Sequence, residues 1–168
     1  MGRQLLEASG LVSTKDAQRP TMRLPESPAV IFASGDQEIQ EELIPVLKRC
    51  GLQPLVISSL RELQMTLQRE EIALAFCTNK LPDGSFRDAL HMFKVSWARV
   101  PVVIASRLGN WDEYLEAMRL GAFDYVSTPY RFPDVERAVS NALREHAIHF
   151  DGHDEVRHEA EVALGRHR

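Results

Sequence analysis

Residues 72–77 read Ile-Ala-Leu-Ala-Phe-Cys, and residues 100–105 read Val-Pro-Val-Val-Ile-Ala. Both runs are almost entirely apolar and are too short for a buried helix, which is typical of strands covered on both faces of a parallel sheet. Three further short runs resemble them, so the sequence predicts five strands, at Ala29–Ala33, Pro54–Ile57, Ile72–Cys77, Val100–Ala105 and Asp124–Val126.

The segments that follow these strands have apolar residues at helical spacing. In the first segment Ile39, Leu43 and Leu47 share one helix face, and four later segments repeat the pattern. Ser59 is placed to begin a helix, and Gly121 is placed just after the end of one. Five strands that alternate with five helices predict an α/β fold with an open, doubly wound parallel sheet. In such a sheet the functional crevice lies at the carboxyl ends of the strands.

The length and the charge of the chain suit one domain with a tail at each end. The chain has 168 residues and a formal net charge of −4. We interpret 1–27 as a mobile N-terminal arm, 28–148 as the domain and 149–168 as a polar, His-rich C-terminal tail. The charge gives no reason to expect a nucleic-acid partner, and no apolar run is long enough to span a bilayer. With no signal peptide visible, we expect a cytoplasmic protein.

The cysteines and histidines give no strong metal signal. Cys50 and Cys77 have no metal-ligand spacing, and a buried free thiol is the usual state of such a residue. His146, His149 and His153 have helical spacing, which leaves a metal site open, but an intervening Asp-Gly pair favours a solvated tail. We therefore expect no metal and no cofactor.

Two stretches carry a resemblance to a known family. Leu81-Pro82-Asp83-Gly84-Ser85 follows the third predicted strand, and residues 119–130 read Arg-Leu-Gly-Ala-Phe-Asp-Tyr-Val-Ser-Thr-Pro-Tyr. Together with residues 101–106 they resemble the receiver domain of bacterial two-component response regulators, over residues 28–148. The resemblance implies a flavodoxin-like five-stranded sheet in the order 2-1-3-4-5, with helices on both faces. It also implies a cis bond before Pro129.

Family members transfer a phosphoryl group from a histidine kinase to their own aspartate, with the help of Mg²⁺. The family supplies an acidic pair after the first strand, an acceptor aspartate after the third, a hydroxyl after the fourth and a lysine before the last proline. In this chain those positions hold, in the same order, Ser34 and Gly35, Thr78, Ser106 and Thr128. Only the hydroxyl matches. Because both signs of charge are missing, we expect a small, neutral, hydroxyl-lined pocket that neither binds a divalent cation nor transfers phosphate.

The resemblance also indicates where partners would dock. Tyr125 occupies the aromatic switch position of the family, and we place Trp111 and Tyr130 with it on the face where partners would dock. In the family, partners and second copies dock on the fourth helix, the fifth strand and the fifth helix. The helical spacing of Trp111 and Tyr114 with Leu115 leaves a core position as the alternative. The sequence therefore predicts a pseudo-receiver that is not an enzyme and acts by contact with a protein partner or a second copy, with no nucleic-acid or membrane partner.

Three other functions stay open at this point. Asp36 or Asp83 could act as an unorthodox phosphoacceptor, although aspartate is also favoured at helix N-caps and in turns. The crevice could instead bind a small ligand, as flavodoxin-like sheets do. A DNA-binding regulator is the weakest alternative, because the sequence has neither a second domain nor a basic stripe.

Overall fold

Five parallel strands form one sheet in the order β2-β1-β3-β4-β5. The computed structural model describes residues 29–96 and 99–147. The strands are β1 (Ala29–Ala33), β2 (Pro54–Ile57), β3 (Ile72–Thr78), β4 (Val102–Ser106) and β5 (Asp124–Ser127). The predicted flavodoxin-like order is confirmed.

The first residue of β4 differs from the prediction. The strand begins at Val102 and not at Val100, because Pro101 has no N–H to donate to a ladder. The carbonyl of Pro101 still accepts a hydrogen bond from the N–H of Ala75, at 3.0 Å. Pro101 therefore contributes its carbonyl to the sheet just before β4 begins.

A helix follows each strand, and the helices cover both faces of the sheet. They are α1 (Gln37–Arg49), α2 (Leu60–Leu67), α3 (Phe86–Val95), α4 (Trp111–Leu120) and α5, which is helical over residues 132–147. A short hairpin (Lys80–Leu81 with Gly84–Ser85) precedes α3. One buried cluster joins the sheet to α1 and α5, and the other joins it to α2, α3 and α4.

The ends of the helices follow local signals in the sequence. The carboxylate of Asp36 accepts two backbone N–H bonds of the first turn of α1, and the hydroxyl of Ser59 accepts the N–H of Glu62 at 3.2 Å. The carboxylate of Glu62 reaches back to the N–H of Ser58, one residue before the cap. Gly121 ends α4 with a φ of 100°, a conformation that costs energy for any residue with a Cβ.

Both tails lie outside the described residues. This holds for the predicted arm, 1–27, and for the predicted His-rich tail, 149–168, together with residues 28 and 148. Within the part of the chain that the structure covers, no helix has the length and apolar character needed to cross a membrane.

Candidate functional site

Three hydroxyl side chains meet at the carboxyl ends of the central strands. Ser34 follows β1 directly, whereas Thr78 and Ser106 are the last residues of β3 and β4. The register places Ala33 opposite Cys77 and Thr78 opposite Ala105, so the three strands end at one level. All three hydroxyl residues are buried, with exposed fractions of 0%, 0% and 1%. We call these three buried residues the hydroxyl layer.

Thr78, at the acceptor position, is hydrogen-bonded to the backbone. Its Oγ1 donates to the carbonyl of Lys80 at 3.0 Å and also lies 3.4 Å from the carbonyl of Ala33. Both neighbours are hydrogen-bond acceptors, so an anion in this place would face two carbonyl dipoles of the wrong sign. A hydroxyl suits this site because it donates, whereas a carboxylate would receive no hydrogen bond from either carbonyl.

Ser34 and Ser106 make the same local turn after β1 and β4. The Oγ of Ser34 donates to the carbonyl of Asp36 at 3.1 Å and accepts its N–H at 3.1 Å. The Oγ of Ser106 does the same with Leu108, at 3.0 and 3.3 Å. Serine commonly closes such turns with its own hydroxyl. Both side chains therefore stabilise the loops that follow their strands.

The crevice above the hydroxyl layer is charged, so the prediction of a neutral pocket is wrong there. Nη2 of Arg107 lies 2.8 Å from Oδ1 of Asp36 and 2.6 Å from Oε2 of Glu38. The hydrogen bond from Arg107 is the main cause that lowers the pKa of Asp36, and the same bond raises the pKa of Arg107. The sequence could have indicated this charge. Arg107 directly follows the fourth strand, and residues that follow a strand of a parallel sheet border the functional crevice.

Gly35, the second acidic-pair position, has no room for a side chain. A Cβ built on Gly35 would lie 2.7 Å from Cδ of Pro82, closer than real Cβ contacts come. Pro82 belongs to the hairpin region after β3. A carboxylate at position 35 would therefore require Pro82 to move.

Thr128, at the lysine position, is also turned toward the backbone. Its Oγ1 donates to the carbonyl of Arg107, and the bond that follows it, Thr128–Pro129, is cis as the resemblance implied. The positive charge of the crevice therefore comes from Arg107, in the loop after β4, and from Lys80, and not from position 128.

The oxygen atoms at this edge do not suit the Mg²⁺ that the family uses. A magnesium site needs carboxylates or carbonyls that are free to bind the ion. Ser34 is bonded to its own loop, and the guanidinium of Arg107 already holds both Asp36 and Glu38. Across the described ranges, no group of three or more His, Cys, Asp or Glu side chains is placed to hold a metal ion.

Asp83 has a structural role that the sequence did not reveal. Its carboxylate accepts the N–H of Leu60 at 2.7 Å and that of Arg61 at 3.1 Å, and so caps α2 from a different loop. These backbone bonds, the one from Leu60 above all, lower the pKa of Asp83. Asp36 and Asp83 both bind helix N-termini, which makes each a weaker nucleophile than a free carboxylate.

An aromatic cluster lies on α4 and β5. Trp111 is 68% exposed and stacks on Tyr114 with ring centroids 5.2 Å apart, while Tyr114 meets Tyr125 edge to face at 5.8 Å. Oη of Tyr125 lies 2.9 Å from Oε1 of Glu113 and 3.2 Å from the carbonyl of Leu108. Burial, together with the carboxylate of Glu113, raises the pKa of Tyr125 to about 12. The alternative that placed Trp111 in the core is wrong.

Tyr130 does not belong to this exposed face, and its predicted place there is wrong. It is 9% exposed and packs in the cluster between the sheet, α1 and α5. Its hydroxyl donates to the carbonyl of Ser106 at 2.8 Å. Its ring therefore lies in the core, on the face of the sheet that α1 and α5 cover.

Comparisons with known proteins agree with this architecture. No family model matches the chain. The response regulator protein PilR of Pseudomonas aeruginosa is 27% identical over 114 residues, which cover 68% of this chain and 26% of PilR. The chain spans about a quarter of the length of the response regulators that it matches.

Solved receiver domains have the same fold. The response regulator receiver domain of Clostridium thermocellum covers 73% of this chain with a TM-score of 0.63 and 23% identity, and 98% of that domain is matched. The signal receiver domain of a LuxO repressor protein from Vibrio parahaemolyticus gives a TM-score of 0.65 at 20% identity, over 73% of this chain and 94% of that domain.

Proposed function

We propose that this response regulator receiver domain is a pseudo-receiver, which acts in signal transduction by protein contact and not by accepting a phosphoryl group. The observation that carries the proposal is the buried hydroxyl layer. Thr78 occupies the acceptor position, and Ser34 and Ser106 lie at the ends of the neighbouring strands. Each of the three hydroxyls donates its hydrogen to a backbone carbonyl. A receiver in this state is a binding module and not an enzyme.

Phosphoryl transfer needs a nucleophile, and Thr78 is a poor one. A threonine hydroxyl is uncharged at pH 7 and needs a general base to attack phosphorus. The atoms next to its Oγ1 are carbonyl oxygens of Ala33 and Lys80, which do not take up a proton at neutral pH. The side chain is also fully buried, so a donor phosphohistidine cannot reach it without local opening.

The transferred group also needs positive charge around it, and in this crevice two carboxylates already hold the guanidinium of Arg107. Mg²⁺ and a lysine normally share that task in the family, as the resemblance implies. Here Arg107 and the exposed Lys80 both line the crevice, and the guanidinium of Arg107 is shared between Asp36 and Glu38. An incoming phosphoryl group would compete with two carboxylates for one guanidinium.

The aromatic cluster is the surface that we propose for partner docking. Trp111 offers a large exposed ring, and its stacking on Tyr114 orders it before a partner binds. Exposed, preordered Trp side chains are frequent anchors of protein interfaces. Leu108, 77% exposed, lies in the loop just before α4 and adds apolar surface. The occupant is a protein partner or a second copy of the chain.

Incubation with acetyl phosphate and Mg²⁺, followed by intact-mass measurement, tests the first half of the proposal. We expect no phosphoryl adduct on the wild-type chain. An adduct that disappears in Asp36→Asn or Asp83→Asn would refute the proposal and establish an unorthodox acceptor. A receiver domain that carries the acceptor aspartate, treated in parallel, shows that the reagent is active.

Sedimentation velocity tests the second half, with Trp111→Ala and Met65→Ala as a matched pair. Both residues are exposed apolar side chains, but Met65 lies on α2, away from the proposed surface. We expect Trp111→Ala alone to weaken self-association or the binding of a partner recovered from the native cell. Equal behaviour of the two variants would remove this face from the proposal.

A further inference from the structure

A second surface lies at the opposite end of the sheet from the hydroxyl layer. It is a groove between the carboxyl-terminal ends of α3 and α4, with Phe93 and Val102 in its floor. Val95, 57% exposed, and Leu120, 41% exposed, form its apolar edges. Exposed apolar side chains around one groove indicate a surface that another chain segment covers.

The rim of the groove has one sign of charge. Lys94, Arg99 and Arg119 line it, and the other described residues that line it include no carboxylate. The three cations form none of the ion pairs found among the described residues, which join Arg87 to Glu116 and Arg107 to its two carboxylates. The groove therefore suits an acidic segment with an apolar side.

Residues 154–164 of this chain have that chemistry. They read Asp-Glu-Val-Arg-His-Glu-Ala-Glu-Val-Ala-Leu, with four carboxylates against one arginine. Apolar residues recur at 156, 160, 163 and 164, a spacing that places them on one face of a helix. The charge of the segment is opposite to that of the rim, and its apolar stripe matches the apolar floor.

The end of α5 brings this segment to the same end of the sheet as the groove. Each helix starts at the carboxyl end of a strand, so residue 147 lies toward the opposite end, where the groove is. Leu143 of α5 packs in the same cluster as Phe123, whose N–H donates to the carbonyl of Val102 in the groove floor at 2.8 Å. The seven steps from residue 147 to residue 154 span about 23 Å when extended.

We infer that residues 154–164 dock in cis in the basic groove between α3 and α4. The tether makes the encounter intramolecular, which raises the effective concentration of the segment to the millimolar range even though each ion pair is weak. This inference does not depend on the absence of phosphoryl transfer.

Zero-length crosslinking of the full chain with a carbodiimide tests the inference. The reagent activates a carboxylate, a lysine amine attacks it, and an amide forms as the urea leaves. The chain has four lysines, Lys15, Lys48, Lys80 and Lys94. Lys94 borders the groove, and exposed Lys48 lies near the end of α1 at the same end of the sheet but on its other face, which makes it the matched control.

We expect peptide mapping to join the tail carboxylates to Lys94 and not to Lys48 or Lys80. In a mixture of ¹⁴N- and ¹⁵N-labelled chains, the linked peptides should carry one isotope. The double variant Arg99→Glu with Arg119→Glu is expected to lower the Lys94 yield about tenfold, since it replaces attraction by repulsion.

Three results would overturn the inference: equal yields at Lys94 and Lys48, mixed-isotope products, which indicate a second copy, or a yield that the double variant leaves unchanged. If circular dichroism shows that the double variant does not fold, the wild-type chain at high ionic strength replaces it. Screening by salt is then expected to lower the Lys94 yield, and an unchanged yield overturns the inference.

Discussion

Thr78→Asp restores the acceptor carboxylate in a crevice that is built without it, and we expect this change to destabilise the domain strongly. Thr78 is fully buried, and its Oγ1 lies 3.0 and 3.4 Å from two carbonyl oxygens. A carboxylate there receives no hydrogen bond from these carbonyls, loses the contacts that Oγ1 makes and faces two partial negative charges. An uncompensated buried charge costs about 3–5 kcal/mol of the free energy of unfolding.

The pH dependence of this loss identifies its cause. Burial raises the pKa of a carboxyl group, so the folded variant binds a proton that the unfolded chain releases. The penalty is complete above the raised pKa and vanishes below the unfolded value of about 3.9. Stability of Thr78→Asp relative to wild type should therefore recover as the pH is lowered from 7 toward 4. Urea unfolding followed by circular dichroism gives the free energy at each pH.

Thr78→Asn is the matched control, because asparagine has the shape of aspartate without its charge. Its amide can donate to the carbonyls of Lys80 and Ala33, so we expect a loss of only about 1–2 kcal/mol that does not change with pH. If the Asp and Asn variants unfold at the same urea concentration at pH 7, the crevice tolerates a carboxylate. The electrostatic reasoning behind the proposed function is then refuted.

Three further substitutions test other contacts. Gly35→Ala places a Cβ 2.7 Å from Pro82 and should cost about 1–3 kcal/mol in urea unfolding, with recovery in the double variant that also carries Pro82→Ala. Tyr125→Phe should lower the free energy of unfolding by about 1 kcal/mol in the same assay, because the hydrogen bond to Glu113 is lost. Ultraviolet titration should also lose the phenol whose pKa is raised to about 12. Asp83→Asn should lower the stability near neutral pH but not well below pH 3.8, since the lowered pKa of Asp83 stabilises the fold only while the carboxyl is ionised.

The fold was predictable because its signals are local. The apolar run of β3 and the helical spacing of α1 need no information beyond a few residues on either side. The same holds for Gly121, whose place after an amphipathic segment predicts a left-handed residue. The order of the strands in the sheet depends on contacts between distant residues, and its prediction came from the family resemblance.

The parts of the site that sequence reasoning missed depend on long-range contacts. Asp83 caps α2 across 23 and 22 residues, to Leu60 and Arg61, and nothing in its own turn shows this. Arg107 binds Asp36 across 71 residues of sequence. The prediction of a neutral crevice considered only the five family site positions, and Arg107 is not one of them. The prediction for Tyr130 was wrong because a position close to Tyr125 in sequence does not determine on which side of the sheet the ring packs.

The loop after β4 connects the altered crevice to the aromatic surface. Oγ of Ser106 and Oη of Tyr125 both contact the carbonyl of Leu108, and the side chain of Thr128 donates to the carbonyl of Arg107. The guanidinium of Arg107 then joins the same loop to the first turn of α1 through Asp36. Four bonds from four parts of the molecule therefore hold the loop that leads into α4. A surface fixed by internal bonds needs no phosphoryl group to set it, so we expect the aromatic face to have one arrangement whether or not a phosphodonor is present.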